Sequence, residues 1–511
     1  MKINLNKLQR KENGQVRIGV LISGTGIGVF MASLDATVAV ILLELIRADF
    51  NVSPNRIQWV VLSYLLVMMA FTIIAGDLGD KISNKHIFQL GMLIFALGSF
   101  LCFLSHSLMF LIFARAIQSL GATGMIANGI ALVTRFTTRN NRGKAMGLSN
   151  LIISVSVISG PLLGALITHY YSWRVVFLVN VPIGLVGLIW GQFAIPETPS
   201  LKKEKKADYI GSLSFASFLT LFMLSLSLFV EEIVPNSQTY AIISLVGSVI
   251  FFPIFIWWEG RHDNPLIDLK LLKDKKISFG LITAVMKHQG YIIILYHLNI
   301  YLQAIHIAAR IDNIELPSII IVGLIISGLP VGMAIMAVIS GYLSDKIDAR
   351  YLCTAAILGV VLMLILLFIF LSVDAPIWFY VIVTTIIGVC IGLFQSPNIN
   401  SVMSAAPKDK VGVISGLHGL TTSIGISLGT AISTAVLTLG GTIIANSKGI
   451  QVGNLVDTPE VYVPALRWMF LFFAIITSFG AIISYLRGPE NREKIEEEKV
   501  NLKNFKSLIK N

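Results

Sequence analysis

The hexapeptide Gly76-Asp77-Leu78-Gly79-Asp80-Lys81 returns later in the chain as Gly341-Tyr342-Leu343-Ser344-Asp345-Lys346. Each copy closes a long apolar run and opens a short polar loop. The first copy ends the second such run and the later copy ends the tenth. An echo displaced by eight runs predicts two related halves with two extra helices between them.

Outward from these copies, apolar runs of spanning length lie near residues 18–44, 57–78, 87–106, 108–134, 145–168, 174–195, 209–230, 240–258, 278–305, 318–343, 351–372, 376–404, 411–437 and 464–486. A hydrocarbon core takes roughly 20 residues of helix per crossing, and an open strand cannot satisfy its backbone there. The reading is therefore an all-α polytopic membrane protein of 14 helices arranged 6 + 2 + 6. The expected segments are an N-terminal tail (1–17), a first six-helix half (18–195), a linker carrying two extra helices (196–276), a second six-helix half (277–487) and a tail (488–511). Leu201–Asp208 and Gly260–Lys276 read as charged linkers.

Composition agrees. Of 511 residues, 55% are hydrophobic and 13% are charged, against about 25% charged in soluble domains. That balance excludes a soluble enzyme, a disordered chain and a secreted disulfide scaffold. Cys102, Cys353 and Cys390 sit in apolar runs without CxxC spacing, so neither a disulfide nor a zinc site is expected. Met1 to Arg17 is polar and basic, and the run after it is too long for a signal-peptide core.

The net charge of +11 is explained by topology. With both termini on one side, that side holds 31 of the 39 Lys and Arg residues. Arg47, Arg56, Arg174, Arg310, Lys448 and Arg467 fall opposite, and Arg115 and Lys287 fall inside runs. The bias makes the rich side, with both termini, cytoplasmic. No basic groove interleaved with aromatics is present, so nucleic acid is not an expected partner.

Inside the first half, Asp35 lies in Phe30-Met-Ala-Ser-Leu-Asp35-Ala-Thr37, and the fourth run carries Arg115-Ala-Ile-Gln118-Ser119-Leu-Gly121. A charge in lipid costs several kcal/mol unless it is paired or wet. Counting helical rise from the outer ends puts Asp35 and Arg115 each about 10 Å deep, so they are expected to interact, directly or through water and Gln118. The fifth run reads Gly147-x8-Ser156-x3-Gly160-Pro161-x2-Gly164-Ala165, a small-residue packing face with a bend. Ser172-Trp173-Arg174-Val-Val-Phe177-Leu-Val-Asn180-Val-Pro182-Ile-Gly184 opens the sixth run.

These segments, with Gly76–Lys85, Tyr301-Leu302-Gln303, Pro397, Ser415-Gly416, Gly425 and Gly429, resemble the 14-helix drug:proton antiporters of the major facilitator superfamily, the multidrug-resistance exporters, over residues 18 to 487. The resemblance implies parallel halves that rock around a substrate site between them. It implies that Gly76, Asp80, Lys81, Lys85 and Asp345 latch the halves, and that Gly147, Gly160, Pro161 and Gly164 serve the moving seal. The chain departs from the pattern at Ser83, Asn84, Val40 and Glu44. The implied activity is proton-coupled export of small amphipathic or toxic solutes by alternating access, with a uniporter, a symporter or an exporter of one endogenous metabolite as the alternative. No cofactor is implied; a proton gradient drives the cycle. The partners are a small-molecule substrate, protons and the lipid bilayer of the cytoplasmic membrane, with the monomer as the working unit.

A mechanism follows from the expected pair. A carboxylate beside a cation favours its ionised form and a buried, unpaired one favours its protonated form. Rocking that alters the Asp35–Arg115 distance or hydration lets Asp35 load a proton on one side and release it on the other. In the second half, Lys287, His288, Gln289 and His297 lie in the ninth run and Phe394 and Asn398 in the twelfth. Intramembrane ionisable groups are functional candidates, and these are the expected substrate contacts, suited to an anionic or zwitterionic solute. His418 reads as a packing residue. No HExxH metal motif and no GxxxxGK[ST] phosphate loop is present, which argues against a metallopeptidase or an ATP-driven pump.

Overall fold

The computed structural model describes residues 9, 16–52, 54–57, 59–199, 208–230, 236–262, 265–302, 318–450 and 458–489. The two expected tails lie mostly outside the described residues, as do 200–207, Gln303 and Arg310. The described chain is nearly all helix, with fourteen long helices at the positions of the apolar runs. They are α1 (Ile18–Phe50), α2 (Trp59–Lys81), α3 (Asn84–Phe103), α4 (Leu108–Phe136), α5 (Arg139–Tyr170), α6 (Trp173–Ala194), α7 (Tyr209–Val230) and α8 (Ser237–Glu259). There follow α9 (Lys275–Tyr301), α10 (Ser318–Lys346), α11 (Ala349–Phe370), α12 (Ile377–Ala405), α13 (Val411–Lys448) and α14 (Pro459–Leu486).

Twelve helices are long and apolar enough to cross a membrane. The other two are α5, which mixes Gly, Ser and Asn with its aliphatics, and α7, whose apolar stretch Ile210–Leu226 is shorter. Helix starts follow local chemistry. Ser83, Ser107, Ser172, Asp274 and Asp348 each accept a backbone N–H from the turn they precede, satisfying donors the helix cannot. Gly449, at φ 67°, ends α13. Pro182, Pro253, Pro330, Pro397 and Pro464 lie within helices. Large apolar side chains such as Met109, Val186, Ile189, Val249 and Leu362 point outward, as lipid-facing positions do.

The packing repeats. In the first half α1 packs on α4, α5 and α6, α2 on α4, and α3 on α4 and α6. Among α9–α14 every one of these pairings recurs with each helix number raised by eight. Between the two sets, α2 crosses α13 while α10 crosses α5, again as counterparts. Helices α7 and α8 pack on each other, with α7 against α2 and α13. An apolar plug of Ile22, Val133, Met146, Ile277, Val402 and Ile414 closes the gap between the sets at the end where α1 and α9 begin. The stretch 260–276 is more than a solvated linker: Leu266 and Ile267 are buried against α2, α7 and α13, because its two adjacent apolar residues have a bundle face to cover.

Helices in lipid gain no hydrophobic drive from one another, so close backbone approach and polar contacts hold them together. At the α3–α4 crossing a Cβ on Gly121 would lie 2.6 Å from Phe95 Cα and closer still to the Phe95 amide. Gly19 has nothing within 4 Å. Gly121→Ala is therefore expected to destabilise the detergent-solubilised protein by about 1–3 kcal/mol, read as a lower thermal unfolding midpoint, while Gly19→Ala leaves the midpoint unchanged.

Candidate functional site

Asp35 is buried near the middle of α1, and both of its carboxylate oxygens are hydrogen-bonded. Its Oδ2 accepts from Arg115 Nη1 at 2.5 Å. Its Oδ1 accepts from Gln118 Nε2 at 2.8 Å and from Asn180 Nδ2 at 3.3 Å. Three residues apart on α4, Arg115 and Gln118 share one helix face, and Arg115 also donates to Gln118 Oε1 at 2.6 Å. The remaining contacts orient these two. Arg115 Nε donates to the Val60 carbonyl at 3.3 Å and the guanidinium lies 4.4 Å over the Tyr64 ring. Gln118 Nε2 donates to Ser99 Oγ at 2.7 Å.

Four helices thus satisfy one carboxylate or the groups that hold it. The depth argument brings Asp35, Arg115 and Gln118 together as expected. It missed Asn180, Ser99, Tyr64 and the Val60 carbonyl. The available signal for Asn180 and Ser99 was a polar residue inside an otherwise apolar run.

Asp80 is fully buried between the two helix sets. Its Oδ1 pairs with Arg135 Nη2 of α4 at 2.6 Å. Its Oδ2 accepts the Gly412 and Val413 N–H groups, at 2.8 and 3.3 Å, in the first turn of α13. A carboxylate there meets unpaired donors and the positive end of the helix dipole. Gly76 completes the crossing, since a Cβ on it would run into the Gly412 carbonyl. The echo is structural as well. Asp345 accepts from the Gly143 and Lys144 N–H groups near the start of α5, at 2.9 and 3.2 Å. Gly341 lies against Gly143 and Gly147.

The lysines behave differently from the acids. Lys81 ion-pairs with Asp77 one turn back at 2.5 Å, and Lys85 pairs with Glu197, just past the end of α6, at 2.7 Å. The small residues of α5 also divide. Gly147 meets α10 across the halves, whereas Gly160 meets Thr37 and Gly164 meets Val38, both on α1. The side chains of Pro161, Val40 and Glu44 lie outside the described ones.

The second-half candidates form one centre and several outliers. Lys287 Nζ bonds His288 Nε2 at 2.9 Å and donates to Gln395 Oε1 at 2.9 Å. His288 Nδ1 bonds the Ala284 carbonyl at 2.8 Å, which leaves Nε2 as the acceptor for Lys287 and for Thr422 Oγ1 at 3.2 Å. Phe394 lines a small cavity together with Lys287. Gln289 packs at Gly429 of α13. His297, in a π-helical stretch (Ile294–Leu298), bonds Ser433 Oγ at 2.7 Å. Asn398 Nδ2 donates to the Gly280 carbonyl at 3.1 Å. At ~1.5 Å per residue, His297 lies about 15 Å along α9 from Lys287 and Gly280, the partner of Asn398, about 10 Å the other way, so His297 and Asn398 stand apart from the lysine. His418 is buried in α13. The string Gly425-Ile426-Ser427-Leu428-Gly429 has nucleophile-elbow spacing, but it runs through unbroken helix, its glycines packed on His288 and Gln289. It is a packing face.

The family model described as Major Facilitator Superfamily matches residues 25–430. A riboflavin transporter, RibZ, of Clostridioides difficile (strain 630) is 31% identical over 79% of this chain and 85% of its own. Multidrug resistance protein 3 of Bacillus subtilis (strain 168) is 26% identical over 82% of this chain and 79% of its own. In fold, the chain matches the crystal structure of the human organic anion transporter MFSD10 (TETRAN) with a TM-score of 0.58, covering 90% of this chain and 98% of that one, at 13% identity.

The two carboxylates at the helix crossings carry a testable consequence. Asp80→Asn removes a charge from the α13 N-terminus, worth about 1–2 kcal/mol in a buried setting, or roughly a tenfold shift of closed over open. Ser415 Oγ, buried and donating to the Ala127 carbonyl across the same seam, reports it. Maleimide labelling of Ser415→Cys is expected to rise in the Asp80→Asn background and to rise further with Asp345→Asn. Unchanged labelling rules Asp80 out as a latch.

Proposed function

The chain belongs to the major facilitator superfamily and is an integral multi-pass membrane transporter, and from that premise we propose that it is a proton-coupled antiporter that exports small amphipathic or toxic solutes by alternating access. The buried Asp35–Arg115–Gln118 network carries this reading. A carboxylate held at membrane depth by one cation and two amides is a proton acceptor whose loading changes the charge of the network by one unit. Protonation of Asp35 dissolves the ion pair and leaves Arg115 with Gln118, the Val60 carbonyl and the Tyr64 ring. Arg115 then needs a wetter or rearranged site, since an uncompensated buried charge costs about 3–5 kcal/mol. That energy links proton loading to rocking.

The topology proposed with it is 6 + 2 + 6, with both termini cytoplasmic. The recurrence of helix pairings eight helices on supports the division, and the Lys and Arg bias supports the orientation. The Asp80 and Asp345 latches then lie on the cytoplasmic side. With both made, that side is shut and the opposite side is the one able to receive protons. Gly147 acts at this seam. Gly160 and Gly164 tie α5 to α1, so that the seam and the proton site move together.

Multidrug-resistance relatives favour a broad substrate range. The riboflavin transporter favours the alternative, export or uptake of one endogenous metabolite. Dye and drug efflux from cells expressing the chain, compared with flavin flux, separates the two.

Asp35→Asn keeps an acceptor for Gln118 and Asn180 but takes no proton. It is expected to stay in the membrane while uncoupler-sensitive efflux falls to the vector background. In everted vesicles the wild type dissipates an imposed proton gradient on substrate addition and the variant does not. Full coupled transport by Asp35→Asn sinks the assignment.

A further inference from the structure

The two helix sets carry their polar centres on counterpart helices, α1 with α4 and α9 with α12, but the centres differ in charge. Asp35 and Arg115 cancel. Lys287 meets only neutral groups, His288 and Gln395, and no carboxylate is at hand: α9, α11, α12 and α13 contain no Asp or Glu at all. In α14 the acid is Glu460, in the first turn, roughly 25 Å along the helix from Thr477. Lys287 is 4% exposed, so its ammonium is buried without a counter-ion among the described residues.

A second group points the same way. The cavity beside Lys287 is walled by Ile357, Cys390 and Phe394 and also by Thr477. Thr477 is 1% exposed and its hydroxyl has no hydrogen-bond partner. One turn from Lys287 on α9, Thr283 accepts from Arg487 Nη2 at 2.9 Å. Arg487 is itself 2% exposed, its Nε is unpartnered, and no carboxylate pairs with it among the described residues. Lys287 and Thr477 therefore border a closed, water-sized apolar cavity, Arg487 lies one turn along α9 at Thr283, and no carboxylate pairs with either cation among the described residues. An ammonium has three donors, and His288 and Gln395 take two.

We propose that Lys287 and Thr477 bind the anionic group of an amphipathic organic monoanion whose apolar body lies against Phe394, Cys390 and Ile357 once the closed cavity between them widens, with Arg487 one turn along α9. This rests on the transporter reading above and names its solute class. The solute supplies the charge that the second half lacks. Gln395 and His288 are positioning residues that hold the ammonium toward it. The same chemistry belongs to a transported carboxylate and to the head group of an anionic lipid, and we assign the solute.

The test is an equilibrium titration of the purified full-length protein in phosphatidylcholine nanodiscs with no proton gradient. The probes are dansylglycine and dansylamide, which share an apolar body and differ in the carboxylate. The wild type is expected to bind dansylglycine at least tenfold more tightly than dansylamide. Lys287→Gln, and Gln395→Glu, which sets a carboxylate against the ammonium, abolish that preference. Lys287→Arg retains it and so controls for folding, and Thr477→Val weakens dansylglycine several-fold. No saturable dansylglycine binding to the wild type, or an unchanged preference in Lys287→Gln, overturns the proposal. Phosphatidylglycerol in the nanodisc leaves dansylglycine binding unaltered if the site is for solute. Displacement of the probe by that lipid overturns the solute assignment. Because no gradient is present, a failure of proton coupling at Asp35 leaves this result standing, and the reverse also holds.

Discussion

A carboxylate and a guanidinium at membrane depth constrain the first half of this protein more than any other contact. Neither charge is affordable alone in a hydrocarbon setting. Even paired, the two need hydrogen bonds to their remaining atoms before the arrangement breaks even. Asp35 obtains these from Gln118 and Asn180, and Arg115 from Gln118 and the Val60 carbonyl. Helices α1, α2, α4 and α6 must therefore meet at one level, and Ser99 draws α3 to the same place through Gln118. Bundle geometry follows from satisfying one ion pair.

Closure between the halves is solved by different means. Glycine-to-backbone contacts at Gly76–Gly412 and Gly143–Gly341 bring helices close, and a carboxylate caps the helix start on the far side. An apolar plug fills the space between. The polar part of this seam includes two carboxylates near helix starts and side-chain bonds such as Ser415 to the Ala127 carbonyl and Asn150 to Ser396. The N–H groups at those helix starts can be hydrated when the helices part. The interface is specific as it stands, and its hydratable N–H groups fit the proposed alternation of the halves.

Much of this was legible in the linear order of residues. Fourteen helices, the echoing hexapeptides and the Asp35–Arg115 encounter all follow from run length, repetition and helical rise along a fixed membrane normal. The charge bias was legible too. Other partners were not. Arg135 was one more basic residue at a helix end until α4 placed it against Asp80. Lys81 and Lys85 read as latch components, and their pairing with Asp77 and Glu197 was not legible in the motif. Gln289, His297 and Asn398 read as substrate contacts along with Lys287, and the linear order did not show that they pack at Gly429, Ser433 and the Gly280 carbonyl. Leu266 and Ile267 looked like part of a solvated linker and are core.

The chain alone determined which segments are helices, which charged residues fall inside them and that the helix pairings repeat. Those properties depend on hydrophobic length and on 1.5 Å of rise per residue, both local. Only the tertiary structure decided which way each helix is rotated about its own axis. Rotation selects whether Asn180 faces Asp35 or lipid, whether Gly160 meets α1 or the opposite half, and whether Lys287 finds an acid or only amides and imidazole. In lipid, apolar helix faces are nearly equivalent to the solvent around them, so amphipathicity leaves little mark in the sequence. Small residues and buried polar groups on several helices at once make that choice.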